Sequence, residues 1–423
     1  MKRKLLLGIA CVIGAYINAY DTIDEALSNG ISNGDVVFFS SNTNVYGDTH
    51  QSMPRQNDLT KSAYSVGSLG LAYRSGFYKS WRFMVSFRAS EKLYQAHKDS
   101  LWIDDINSPG RSFSNQKGDA AKDFYAPAML GQSYLEYFHE DTSIRTGRVF
   151  VKSEWADRLI DGVHIRNKSF ENIIIEAFWA KSSGYVQYNK LSGLIDVNPN
   201  SRAGLLNTSI KYTLNDMFSL KAQAIYAARL FNAFSAKAAF RYEISNSYIG
   251  ANAQFTASFE DINSPYRRTQ DNDTFVFDTR AYIGIKDFID DLHNGLEISG
   301  GFIRSGENGI GSLNAVGNNI SPFFMWGGRA FLVGSNASLG FAKIHFTIDR
   351  ISLALVYGST HFQKPFGLST IYNGFDRVNE VNFLLDFSLS EHTSAIFNLL
   401  NTHKGKAYYP HTTLINFGIK LSF

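Results

Sequence analysis

The residues with chemical potential in this sequence are charges set at every second position. Across 236–244 the even positions are apolar, and Lys237, Arg241 and Glu243 take the odd ones. Across 275–285, Asp278 and Arg280 oppose Phe275, Phe277, Ala281, Ile283 and Ile285. Such charges need water on one face of an extended segment and an apolar medium on the other. Their chemistry is electrostatic: a row of charges offers a passing solute successive weak sites and no deep trap. By the same parity the candidate pore-lining cations are Arg74, Arg82, Arg88, Arg166, Lys168, Lys211, Lys221, Arg229, Lys237, Arg241, Arg280, Lys286 and Lys420. The candidate anions are Glu136, Glu176, Glu243, Asp278, Glu297, Glu380 and Asp386. Residues 166–241 supply seven of the cations, whereas 278–386 supplies two cations and four anions. One wall of a pore would then be basic and the facing wall more acidic, a field that favours zwitterions. A polar lining that only solvates a wide lumen would use the same residue types.

Covalent and metal chemistry find no support. P-loop and HExxH patterns, and GxSxG or GxGxxG in strand-to-helix context, are missing from the sequence. The ten histidines include no pair at helical i, i+4 spacing. Asp271-Asn272-Asp273 resembles a fragment of a calcium loop but lacks the rest of it. No enzyme activity, cofactor or metal is expected.

Strands must carry these charges. The period-two pattern recurs on Ile249–Phe259, Val381–Leu389 and the C-terminal Ile415–Phe423. A walk along the chain gives about eighteen such segments, from 34–40 to 411–423, with weak parity in 143–151, 337–347 and 394–402. No apolar run approaches the ~20 residues of a spanning helix. Short connections, such as Glu140–Thr142, Asn215–Met217 and Ser245–Ser247, alternate with long ones at 41–62, 91–127, 182–201, 260–273, 305–336 and 360–376. All eight prolines fall in or beside the long or external connections. The expected fold is all-β: a single transmembrane antiparallel β-barrel of about eighteen strands, over 34–423. Trp81, Trp179 and the tyrosines suit interfacial girdles.

The charge balance of 41 Lys+Arg against 38 Asp+Glu supplies no basic field for nucleic acid. Lys2, Arg3 and Lys4 precede the apolar stretch Leu5–Tyr16, and Ala19 offers a small residue for cleavage: the pattern of a secretory signal peptide over 1–19. Its removal would take Cys11, the one cysteine, and leave 404 residues with 38 charges of each sign. Residues 20–33 would form a periplasmic N-terminal segment, with a short helical stretch at Thr22–Leu27.

Residues 128–181 carry a family resemblance. Gln132-Ser133-Tyr134-Leu135-Glu136-Tyr137 precedes a turn; Ser143-Ile144-Arg145-Thr146-Gly147-Arg148 follows, then Asp157-Arg158 and Asp161-Gly162-Val163. This resembles OprD-type substrate-specific porins of the outer membrane, particularly a branch with an N-terminus like Asp24-Glu25-Ala26-Leu27-Ser28-Asn29-Gly30 before Gly34-Asp35-Val36. The resemblance implies an eighteen-stranded monomeric barrel whose third external loop folds inward. By position that constriction loop is Lys152–Leu159, with Glu154, Asp157 and Arg158. The family often has proline there; this chain has none between Pro127 and Pro199. Phe423 resembles the terminal aromatic that addresses such barrels to the assembly machinery. The implied function is passage of small hydrophilic solutes, such as amino acids, small peptides or carboxylates, across the bacterial outer membrane, with outer-membrane lipid as surroundings and no nucleic-acid partner. The alternative is a sealed adhesin or surface-structural barrel.

Overall fold

The computed structural model describes residues 19–46, 61–95, 128–188, 190–264, 273–289, 292–323, 336–363, 376–404 and 411–423. Residues 1–18 of the expected signal peptide, and Asp271-Asn272, lie outside the described residues.

A chain alternating apolar and polar every second residue satisfies its backbone only by pairing laterally, and in lipid only by closing the sheet. Nineteen strands do so: β1 Ile31–Tyr46, β2 Lys61–Arg74, β3 Trp81–Gln95, β4 Ala128–His139, β5 Thr142–Ser153, β6 Ala156–Asn167, β7 Ile173–Gln187, β8 Lys190–Asp196, β9 Leu205–Thr213, β10 Phe218–Ala227, β11 Phe231–Ile244, β12 Ser247–Glu260, β13 Asp273–Lys286, β14 Asn294–Ser305, β15 Ser338–Ile348, β16 Ile351–Phe362, β17 Asp376–Ser388, β18 Thr393–Lys404 and β19 His411–Ser422. Consecutive strands pair antiparallel except β8 and β9, and β1 pairs with β19 from Asp35↔Ser422 to Tyr46↔His411. β8 pairs with β7 alone, while β7 also pairs with β9. Eighteen strands therefore close the barrel, and β8 is extra.

The faces are inverted relative to a soluble protein. On β12, Phe255 is 50% exposed, and its neighbour Thr256 is fully buried. Leu220, Phe234, Ile283, Ile298 and Phe417 are likewise exposed, whereas Glu136, Gln254, Asp278, Glu380 and Asn382 are buried. An apolar outer coat around a polar interior is the pattern of a barrel solvated by lipid.

Three turns at the end shared with both termini are tight. Glu140, Ser245 and Asp349 adopt positive φ in two-residue connections, the conformation that matches strand twist. The opposite end carries most of the long connections, with two exceptions. β5 and β6 are joined by Glu154-Trp155 alone, and β10 and β11 by residues 228–230. At the terminal end, helix α1 (Ile23–Ser28) is capped by the Thr22 hydroxyl, which accepts from the Glu25 N–H. It is tied to the β2–β3 turn by the Gly76 N–H, which donates to the Ala26 carbonyl at 2.8 Å.

Candidate functional site

Two glycines turn the β5–β6 hairpin out of the wall. β4 stops pairing with β5 at Ser133↔Arg148, and beyond it β5 pairs only with β6. At this level Gly147 and Gly162 face each other across the hairpin. Gly147 has φ +121, and a Cβ there would sit 2.5 Å from the Ser133 carbonyl oxygen. Gly162 lies at a register shift against β7, where a Cβ would sit 1.8 Å from the Trp179 carbonyl oxygen. Arg148 braces the bend by its 2.8 Å bond to Asp161.

The hairpin crosses the lumen. Trp155 Nε1–H donates to Thr256 Oγ1 on β12 at 3.2 Å, and Trp155 is 2% exposed. Glu154 accepts from Lys221 at 2.6 Å and Lys237 at 3.1 Å. These lysines stand in register with Lys211 on adjacent strands, a three-cation row across β9, β10 and β11. Burial opposes ionisation of Glu154, but the two ammonium groups outweigh it and hold its carboxyl down at about 2. The expected inward element is thus at the expected place, with one correction. It is not a loop over Lys152–Leu159 but a paired hairpin with a two-residue tip. Extended chain entering a lumen needs partners for its N–H and C=O groups, and the hairpin supplies them internally.

A second inward element is the connection after β14. Asp157 N–H donates to the Val316 carbonyl, and Asn319 N–H to the Glu154 carbonyl, both at 2.9 Å. Asn319 Nδ2 bonds the Ser153 and Ala156 carbonyls at 2.8 and 3.0 Å. Buried Glu260 anchors this segment, accepting from the Ser312 N–H and hydroxyl and from Ser264. Trp155, Ile160, Ile225, Phe231, Ile310, Leu313, Val316, Leu339 and Val356 share one apolar core between hairpin, connection and wall.

A third is the arm formed by β7 beyond Ala180 together with β8. Its tip residue Tyr188 packs edge-on against Phe39 of β1, ring centroids 5.6 Å apart. Burial and then the Asp386 carboxylate push the Tyr188 phenol up to about 12, so it stays protonated. The arm therefore spans the barrel from β6 and β9 to the β1 and β17 side. Near that tip Arg158 Nε–H donates to the Tyr185 hydroxyl at 3.0 Å and stacks over that ring.

Most of the charges read as pore-lining occupy the lumenal face, and most are paired there. Arg82 and Arg145 bind Glu136, with Ser143 completing the set. Arg280 binds Asp278 and the Ile320 carbonyl. Arg241 binds Glu243 at 2.8 Å and stacks over Tyr248, whose hydroxyl donates to Glu297 at 2.9 Å. Lys286 lies 3.5 Å from Glu243. Glu176, set in the basic stretch, meets His164 at 2.7 Å. Asn382 donates to Glu380, and Arg166 stands opposite Glu176. Arg74 ends β2 opposite Met84, and Lys420 lies 4.0 Å from Asp35.

Two expectations are corrected. Lys168 follows the last residue of β6, and its N–H donates to the Asp141 carbonyl, so it belongs to a turn. Arg229 has φ +59 in the β10–β11 turn, beyond the end of β10 at Ala227. Both residues lie past a strand end, where parity no longer determines a face. Sequence reasoning missed Arg145, Arg148, Asp161 and above all Asp35. Asp35 shares parity with Val37 and Phe39, whose apolar side chains hid the lumenal face of β1.

Arg88 Nη2 donates to both carboxylate oxygens of Asp35, at 2.8 and 2.7 Å, while Nη1 donates to the Ser68 hydroxyl at 2.8 Å. The pair passes over Gly70 of β2, where a Cβ would sit 2.4 Å from Arg88 Nη2. It lines a cavity of about 180 Å³ bounded by β1–β4, the hairpin and the arm, which contribute Gln132, Phe150, Tyr185 and Gln187.

No protein-family model matches the sequence, and no curated protein does. Solved structures match along nearly the whole chain. A BenF-like porin from Pseudomonas fluorescens Pf-5 aligns with TM-score 0.69 at 11% identity, covering 94% of this chain and 100% of that one. Pseudomonas aeruginosa OpdK, determined with vanillate, gives 0.65 at 11% identity over 94% and 99%. Acinetobacter baumannii OccAB4 gives 0.63 at 8% identity over 93% and 98%. The chain thus has the eighteen-stranded closed-barrel fold of these porins, with an inward hairpin built on its own glycine pair.

Proposed function

We propose that this protein is an outer-membrane diffusion channel of the OprD type for small hydrophilic solutes. The carrying observation is the inverted barrel whose lumen holds three inward elements and still leaves a charged chamber beside β1–β4. The vanillate bound in one neighbour of the same fold supports small carboxylates among the solutes. Export by a cleaved leader over 1–19, a periplasmic segment at 20–33, assembly through Phe423 and a monomeric state belong to the same reading. Purified protein in a planar bilayer is expected to give discrete conductance steps. A barrel that inserts and never conducts would overturn the reading in favour of a structural surface protein.

A further inference from the structure

Four adjacent strands carry a polar row at the end opposite the termini, on the face turned away from the lumen. Arg304 of β14 pairs in register with Ser338 of β15, Ser338 with His361 of β16, and His361 with Arg377 of β17. Their chain neighbours Ser305, Leu339, Phe362 and Val378 are 2% exposed or less, so alternation turns the row outward. Arg304, His361 and Arg377 are exposed. On the same face, nearer the membrane, stand the exposed rings of Phe302 and Tyr357, as in an aromatic girdle. The row above them therefore meets lipid headgroups, not acyl chains. Arg377 Nε–H donates to the Ser359 hydroxyl at 3.0 Å and to Asn379 Oδ1 at 3.1 Å, which hold the guanidinium along the sheet. The described carboxylates of these strands, Glu297, Glu380 and Asp386, face the lumen.

We propose that this row docks a phosphorylated glycolipid of the outer leaflet. The inference needs the outer-membrane placement of the barrel and is independent of whether it conducts. Guanidinium groups suit phosphate, which they hold through paired, charge-assisted N–H bonds. Three interstrand spacings set Arg304 and Arg377 about 14 Å apart. Ser338 and His361 stand between them and offer hydrogen bonds to hydroxyl groups. A disaccharide with a phosphate at each end matches that order of groups, cation, neutral, neutral, cation. A glycerophospholipid brings one phosphate and would leave half of the row unused. The wall below also suits an acyl chain. Gly340 and Ala342 of β15 lie between the Phe302 and Tyr357 strands, and a Cβ on Gly340 would meet nothing within 4 Å.

The test counts bound lipid per barrel by native mass spectrometry, with detergent-solubilised protein and graded diphosphorylated lipid A, dephosphorylated lipid A or phosphatidylglycerol. Wild type should take up the diphosphorylated form at about tenfold lower concentration than either other lipid. Arg304→Gln and Arg377→Gln should each raise its half-saturating concentration about tenfold, the loss of one charge-assisted contact. Both variants should keep the conductance of wild type, since neither side chain enters the lumen. Equal uptake of phosphorylated and dephosphorylated lipid A by wild type would overturn the proposal without need of any variant. Equal uptake of phosphatidylglycerol would show a general attraction for anionic lipid and overturn it as well. Indifference of lipid A binding to both substitutions would place the lipid elsewhere on the barrel. Each of these failures leaves the channel reading intact, and an absence of conductance leaves the docking row intact.

Discussion

Glu154 shows how a single carboxylate can redirect a pore. Without it, Lys211, Lys221 and Lys237 would face the lumen as an uninterrupted cationic row; with it, two of the three are neutralised and the hairpin tip is latched to the far wall. Its folded pKa lies below the ordinary 4.5, at about 2. The latch is therefore complete above about pH 4.5 and is lost as pH falls through about 2. The shift corresponds to roughly 3 kcal/mol. Glu154→Gln should release the hairpin at neutral pH, seen as new tryptic cleavage after Lys152 or Arg158 in folded protein. Equal protease resistance in wild type and variant would show that apolar packing alone holds the tip. Buried Glu136 makes a stability prediction of the same kind. Glu136→Gln leaves Arg82 and Arg145 facing each other and should cost about 3–5 kcal/mol, read from the denaturant midpoint; an unchanged midpoint would refute it. Lys221 and Lys237 were legible as lumenal from alternation, but their partner was not: it lies 67 and 83 residues away, on a turn where parity has no meaning.

At the scale of the element, the hairpin is defined by where it leaves the wall. Gly147 and Gly162 sit opposite each other at that point, and both would bring a Cβ against backbone, which cannot swing aside as a side-chain tip can. Gly162→Ala should therefore straighten or misplace the hairpin while the barrel still forms. The expected result is unchanged strand content by circular dichroism with larger, noisier conductance steps; steps of wild-type size would show that the bend tolerates a side chain. The three segments of weak alternation have a common cause. The end of β5, with Val149 and Val151, runs inside the lumenal core. β15 carries Leu339 and Phe341 inward against that core. β18 turns Ile396 toward the Tyr188 cluster and Leu400 toward Leu414. Wherever an inward element packs on the wall, the lumenal face becomes apolar too, and the period-two signal fades. The segments hardest to read were the ones that shape the pore.

At the scale of the whole molecule, the chain closes on itself through its ends. Gly34 N–H donates to the Phe423 carbonyl at 2.7 Å, and Phe423 N–H returns a bond to Gly34 at 3.0 Å. The ring of Phe423 lies over Gly34, where a Cβ would meet it at 2.6 Å, yet the residue is 64% exposed. The backbone bonds that close the barrel here do not depend on the side chain. Alternation made the eighteen-strand count legible because each lipid-facing row repeats along the chain. It does not separate a terminal aromatic that stabilises from one that is read during assembly. Phe423→Ser keeps both backbone bonds. Refolded in detergent, it should lose no more than about 3 kcal/mol, the transfer of one aromatic side chain out of an apolar surround. In cells, the amount of heat-modifiable barrel in the outer membrane should fall severalfold. Equal assembly in cells, or a large loss of stability in detergent, would place the role of Phe423 in the barrel itself.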